Sequence, residues 1–354
     1  MYSQKVKVLI VDDSKVSRDL MGYIIELDGH IQVIGYAENG IEALNFIKRQ
    51  RPDVIITDIE MPEMNGFQLT RHIMDSDPIP IIVISGVYNQ AEVAVGFEAI
   101  EAGALAIIEK PKGLGDSQCM DTARFVTETI KIMSQVALNK KNPHQLEASK
   151  SRSSGVTLES SITSDIQVDA IGIGASIGGP KAIRTLLSQL PNKFTVPIFV
   201  VQHITSGFID GFVNWLNDST TFHVKIAENG ERAEPQKVYI CPDKMVMRVD
   251  ARKRIQLIPI DESEEKLSSI SQLFDSMHNV YGKNCVGVLL TGVGNDGAQE
   301  LLKLKKSGAF TIVQDDQTSV NFELPKYAID LGAAEKVLPL QTIAVTLEQL
   351  VFRK

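Results

Sequence analysis

Cysteine is scarce in this chain: Cys119, Cys241 and Cys285 stand alone, with no CxxC pair among them. That argues against a disulfide-stapled scaffold and fits isolated thiols in a reducing cytosol. Positive charge is in deficit. Lys and Arg number 36 against 44 Asp and Glu, a formal net charge of −8. Such a balance argues against a general nucleic-acid binder, although a small basic docking patch remains compatible with it. No apolar stretch reaches the ~18 residues needed to span a bilayer. The opening MYSQKVKVLIVDD has a short apolar run closed by two aspartates, which is the pattern of a strand rather than a signal peptide. The expectation is a soluble, cytoplasmic protein with no direct membrane insertion. With 354 residues, 44% of them hydrophobic, the chain exceeds what one hydrophobic core commonly organises, so two domains are expected.

Residues 5–135 alternate Val/Ile-rich runs (6–11, 33–36, 54–57, 81–85 and 104–108) with amphipathic stretches such as 41–49 and 66–75. The runs lack polar alternation, as strands buried on both faces of a parallel sheet do. Five βα units predict a doubly wound α/β domain over residues 1–138. Residues 139–166 are dominated by Ser, Lys, Asn and Glu with no aromatics, and read as a flexible linker. The βα rhythm then resumes over 167–354. Its runs at 196–201, 286–290 and 310–313 suit a second parallel sheet, and the stretch 237–258 reads as antiparallel strands appended to it. The fold class is therefore α/β, with two doubly wound parallel-sheet domains, the second Rossmann-like and carrying an antiparallel hairpin.

In the first domain Asp12 and Asp13 end the first strand, Asp58 the third, Ser85 the fourth and Lys110 the fifth. Ligands of open parallel sheets bind outside the carboxyl ends of the strands, so all five converge. One aspartate at a strand end is commonly a helix N-cap; five polar residues at the ends of four strands of one sheet are not. Neighbouring carboxylates repel, and a hard cation such as Mg²⁺ relieves them. Asp58 is then a candidate nucleophile for an aspartyl-phosphate. Lys110 would neutralise the incoming phosphoryl group and Ser85 would donate a hydrogen bond to it. VDDS (11–14), DIEMPEMNG (58–66), Ser85 and Lys110–Pro111 together resemble the response-regulator receiver family, whose sheet is flavodoxin-like. The resemblance implies phosphorylation of Asp58 by a histidine kinase, with Asp12, Asp13 and Asp58 around Mg²⁺. Receivers usually carry Tyr or Phe three residues before the lysine; here that position is Ile107.

In the second domain GIGASIGGP (172–180) joins a strand to a helical stretch. Ser176 falls in the turn, where glycines permit unusual backbone angles and a helix N-terminus faces developing negative charge. A dinucleotide-binding turn has similar glycines, but it requires an acid at the end of the next strand, where Gln202 and His203 stand instead. His203 follows the buried run VPIFVV, and Asp296 lies in TGVGNDGA (291–298) after CVGVLL. Ser176, His203 and Asp296 at one sheet edge form a candidate nucleophile, base and orienting acid. His223 and His278 compete for the base, and Asp315 and Asp316 for the acid.

GASIGGP, VVQHI, VYICP (238–242), TGVGNDGA and LPKYAIDLGAAEKVLPL (324–340), in this order and behind a receiver, resemble the chemotaxis protein-glutamate methylesterase family. The resemblance implies hydrolysis of glutamate methyl esters on the cytoplasmic domains of chemoreceptors, deamidation of selected receptor glutamines, a chemotaxis histidine kinase as phosphodonor, and no cofactor for the ester reaction. The family's Thr after the nucleophile is Ile177 here, and its Met three residues before the acid is Val293, both beside the oxyanion site. Its GMP is replaced by Glu323-Leu324-Pro325. An alternative from another class is a phosphorylation-controlled binding module whose esterase domain is inactive.

Overall fold

The structure is a computed structural model, described over residues 5–86, 90–111, 119–136, 167–260 and 269–352. The linker expected at 139–166 lies outside the described residues. The chain forms two compact units, one around a five-stranded sheet and one around a seven-stranded sheet.

In chain order the first five strands and their helices are β1 (Val6–Val11), α1 (Lys15–Glu26), β2 (Ile31–Ala37), α2 (Gly40–Ile47), β3 (Val54–Asp58), α3 (Gly66–Ser76), β4 (Ile81–Ser85), α4 (Gln90–Ala102), β5 (Ala106–Glu109) and α5 (Cys119–Met133). All belong to the first unit except residues 86–100, the body of α4, which group with the second. The strand order β2-β1-β3-β4-β5 is parallel throughout. Every residue of β3 and β4 is buried, as strands with both faces covered require. Helix starts are set by short polar side chains. Ser14 caps α1, Asn39 caps α2, and Asn65 with Gln68 forms a capping box on α3. The chain leaves β1 in opposite directions to β2 and β3, so the crevice of this sheet opens between the carboxyl ends of β1 and β3.

The second unit follows the order β6 (Ala170–Ala175), α6 (Gly179–Gln189), β7 (Ile198–Gln202), α7 (Ile209–Ser219), β8 (His223–Ile226), β9 (Lys237–Ile240), β10 (Met245–Val249), β11 (Ile255–Pro259), α8 (Ser269–Tyr281), β12 (Cys285–Leu289), α9 (Ala298–Lys306), β13 (Phe310–Gln314), α10 (Glu323–Asp330), β14 (Lys336–Leu338) and α11 (Leu340–Val351). Seven strands pair in parallel in the order β14-β13-β12-β6-β7-β9-β8. The switch point lies between β6 and β12.

One expectation is corrected here. Residues 237–240 are not part of an antiparallel appendage: β9 pairs in parallel with both β7 and β8. Only β10 and β11 form the antiparallel hairpin, held to α8 where the Val249 amide donates to Ser276 Oγ at 3.0 Å.

Candidate functional site

In the first unit, Asp12 and Asp58 are buried at the carboxyl ends of β1 and β3, on the two sides of the switch point. Lys110 Nζ lies 2.7 Å from Asp12 Oδ2 and 2.8 Å from Asp58 Oδ2. The Lys110 amide donates to the Ser85 carbonyl at 3.0 Å, which brings the ends of β4 and β5 to the same place. Asp12 is not the cap of α1; Ser14 fills that role, while Asp12 Oδ1 accepts the Ser14 amide at 2.8 Å. Asp12 Oδ2 is buried and accepts no well-aligned hydrogen bond among the described residues; its close neighbour is the Lys110 ammonium. Carboxylate oxygens of Asp12, Asp13 and Asp58 lie within 4.8 Å of one another. A three-acid cluster whose buried Asp12 and Asp58 oxygens share a single ammonium carries more negative charge than Lys110 can balance, and fits a hard divalent cation of the Mg²⁺ type.

Burial pushes the Asp58 carboxyl up to about 6. Lys110 and the Ile59 amide, which donates at 2.8 Å, pull it down, while Asp12 adds to the rise. For Lys110, burial works against the charge, but its bonds to Asp12 and Asp58 outweigh that and hold the ammonium above its ordinary value. Ile107 is buried in β5 beside Val83. Sequence reasoning missed Arg18. Its buried guanidinium donates to the backbone carbonyls of Asp12 at 2.6 Å and Asp13 at 3.1 Å, and pairs with Glu38 at 2.7 Å.

In the second unit Ser176 leaves β6 and is 5% exposed. The β6–β7 register ends at Ala175 opposite Gln202, so Ser176 and His203 are the next residues on adjacent strands. The His203 amide donates to the Ala175 carbonyl at 2.9 Å and completes that step. Across the switch point the Ser176 amide donates to the Thr291 carbonyl at 3.0 Å. Two glycines make the turns possible. Gly178, the N-cap of α6, has φ +78°, a left-handed angle that disfavours any side chain. At Gly292 a Cβ would come within 2.7 Å of Ser176 Cβ, so the 291–296 loop reaches the serine only because that residue is glycine.

Asp296 Oδ2 lies 2.9 Å from His203 Nε2. The same carboxylate accepts the Ile270 amide at 2.9 Å and the Ser271 amide at 2.8 Å, both from the first turn of α8. Burial alone would raise its pKa. His203 first, then the two amides, outweigh burial and hold the carboxyl below its ordinary value. The rival residues sit elsewhere. Asp315 Oδ1 accepts the Thr318 amide at 3.0 Å and the Thr318 hydroxyl at 2.6 Å, which is a turn role. His223 opens β8 and so lies at the amino edge of a parallel sheet. His278 contacts Ser307 Oγ at 3.2 Å. The amides of Ile177 and Val293, on the two loops that flank Ser176, have no acceptor among the described residues.

Thr291 also went unnoticed in the sequence. Its hydroxyl donates to the Ile177 carbonyl at 2.9 Å and accepts the amides of Val320 at 3.1 Å and Asn321 at 3.0 Å, tying three loops together. Nothing in its spacing signals this, because the partners come from separate crossovers.

These two sites define a class: a sheet carrying an acidic cluster beside a lysine, joined in one chain to a sheet bearing a serine–histidine–aspartate group. Comparison with known proteins agrees. The CheB methylesterase family matches residues 171–347, and the response regulator receiver domain matches residues 8–117. A protein-glutamate methylesterase/protein-glutamine glutaminase from Nitrosospira multiformis is 43% identical over 347 residues, covering 98% of this chain and 97% of that protein. A counterpart from Syntrophus aciditrophicus is 42% identical, covering 98% of each. The crystal structure of the Thermotoga maritima CheB methylesterase catalytic domain is 31% identical and aligns with 52% of this chain and all of that one, with a TM-score of 0.49. The chain belongs to the CheB methylesterase family, with an N-terminal response-regulator receiver domain. No helix among the described residues is long and apolar enough to cross a membrane.

Proposed function

We propose that this chain is a phosphorylation-activated protein-glutamate methylesterase that hydrolyses glutamate methyl esters on the cytoplasmic domains of chemoreceptors and deamidates selected receptor glutamines. The observation that carries the chemistry is the His203–Asp296 contact of 2.9 Å at the strand end next to Ser176.

Ser176 Oγ attacks the ester carbonyl as His203 takes its proton. The carbonyl oxygen gains negative charge, and the Ile177 and Val293 amides, free of other acceptors among the described residues, donate to it. Collapse expels the methoxy group, to which His203 returns the proton, so methanol leaves and an acyl-serine remains. Water then attacks with His203 again as base, releasing the glutamate side chain and restoring Ser176. With a glutamine substrate the same steps release ammonia. Asp296, held ionised by two amides, fixes the imidazole and stabilises its cation. The reaction needs only backbone donors at the oxyanion, which explains how Ile177 and Val293 are tolerated.

In the receiver, Asp58 is the nucleophile toward a phosphoryl group supplied by a chemotaxis histidine kinase. Asp12, Asp13 and Asp58 would hold Mg²⁺, which supplies charge neutralisation at the phosphoryl oxygens. Lys110 binds the phosphoryl group and Ser85 donates to it. Residues 1–138, 139–166 and 167–354 serve as receiver, linker and catalytic domain. The protein works in the cytoplasm.

The experiment is methanol release from methylated receptor fragments by wild type and Ser176→Ala. Wild type should release methanol, and Ser176→Ala should fall to background while remaining folded. Release by Ser176→Ala within tenfold of wild type would contradict the assignment.

A further inference from the structure

Gln202 is the last residue of β7, is 8% exposed, and takes no part in the steps above. Its side-chain nitrogen donates to the Ser176 carbonyl at 2.8 Å and to the His203 carbonyl at 2.7 Å. These two carbonyls lie just beyond the last register pair of β6 and β7, where ladder bonding gives out. An amide nitrogen has two protons and no charge, so one side chain satisfies both oxygens. The other end of the amide has no such reason to be where it is. Gln202 Oε1 is buried without a hydrogen-bond partner among the described residues and abuts the backbone of Gly179 at the start of α6. Turning the amide over would set its oxygen against two carbonyl oxygens and forfeit both hydrogen bonds. The orientation is therefore fixed by the two carbonyls, at the expense of a buried oxygen left unpaired.

A buried orphan acceptor is destabilising, and a buried apolar residue of similar length would avoid it. What the amide supplies in return is a clamp between the peptide units that carry the candidate nucleophile and the candidate base. We propose that Gln202 is a positioning residue that sets the separation of Ser176 and His203 by holding their carbonyls on one amide group. It touches neither substrate nor the reacting atoms. This rests on Ser176 and His203 acting as nucleophile and base. Displacing such a pair by a fraction of an ångström lowers the rate of attack with little effect on substrate binding.

The test uses full-length protein carrying Gln202→Met, which keeps the length of the side chain and removes both donors. Competent sites are counted with a serine-directed organophosphonate, and methanol release is expressed per titrated site. The expected result is a fall in kcat of roughly tenfold or more with KM within about twofold, and a parallel fall in the rate of organophosphonate attack. A merely structural glutamine would lower the number of titrated sites and leave turnover per site unchanged. Thr311→Val supplies the matched control, since Thr311 is a fully buried hydrogen-bonding residue of β13 that bonds the Ala333 carbonyl. It should lower the melting temperature and keep full turnover per site. Gln202→Glu covers the case in which the Met variant does not fold. Its protonated carboxyl offers one donor, so its kcat defect should deepen as pH rises and the carboxyl ionises against two carbonyl oxygens. Turnover per site within twofold of wild type for Gln202→Met, or a wild-type pH profile and rate for Gln202→Glu, overturns the proposal. Ser176→Ala separates the two levels: an active Ser176→Ala removes the triad itself, whereas an inactive one beside a fully active Gln202→Met removes only the clamp.

Discussion

Asp58, buried at the end of β3, and Asp296, half-buried in the loop after β12, both lie at the carboxyl edge of their sheets and both face a basic side chain, yet their carboxyls are displaced in opposite directions. Burial pushes Asp58 up to about 6, while Asp296 is held below its ordinary value. The difference lies in what surrounds the charge. Asp296 accepts two backbone amides from the start of α8 as well as His203. Asp58 accepts one amide, shares Lys110 with a second carboxylate, and is repelled by Asp12. A carboxylate that must only orient an imidazole is saturated with donors. The carboxylate proposed to attack a phosphoryl group has fewer donors and a second carboxylate competing for the same ammonium, a charge excess that a metal ion would relieve.

The largest expected effects break the hydrolase half of this comparison. Ser176→Ala and His203→Gln should each lower methanol release by roughly 10⁴-fold or more, measured on methylated receptor fragments. Asp296→Asn comes next, with a loss of roughly 10²- to 10⁴-fold, because the amide donors and imidazole remain while the tautomer is wrong. Asp315→Asn, which weakens only a turn, should stay within about tenfold. A reversal of that order, read from the same assay, would move the acid from Asp296 to Asp315.

Much of this was legible in the sequence because parallel sheets place strand ends together. Asp12, Asp58, Lys110, Ser176 and His203 each follow a Val/Ile-rich run, so their convergence needed only the polarity of the strands. What was hidden depends on partners that the chain brings from elsewhere. The Ile270 and Ser271 amides come from the start of a helix that precedes β12, and backbone donors leave no residue signature. The β8 strand, HVKI, is four residues with a charge inside it, too short and too polar to read as a buried strand. Missing it hid the crossover that makes β9 a parallel neighbour of β7, and the two turns after residue 237 then read as antiparallel.

The receiver half is sharpened by pH. The folded-state value of Asp58 lies above the ordinary 3.8, so the folded protein holds that proton more tightly than the unfolded chain. The sign follows: ionised Asp58 destabilises the fold above about pH 6, and the penalty fades as pH falls toward 4. Asp58→Asn should therefore raise stability at pH 7.5 by on the order of 2 kcal/mol and by little near pH 4, as followed by calorimetry across that range. A gain that grew on acidification would contradict the underbonded state of this carboxylate. The smallest expected effect is at the rim of the serine site. Ile177→Thr should change kcat by less than about threefold, because the backbone amide proposed to serve the oxyanion is unaltered. A gain of tenfold or more would show that the hydroxyl itself had been missing.

The measurement that reaches furthest joins the two pockets: methanol release by full-length protein, with Mg²⁺, before and after a small phosphodonor, in wild type and in Asp58→Asn. Activation in wild type, with Asp58→Asn keeping the basal rate and showing no rise, is the result expected if phosphorylation of Asp58 controls hydrolysis at Ser176. Equal rates in all four conditions would contradict that control and leave the receiver with no hold on the esterase.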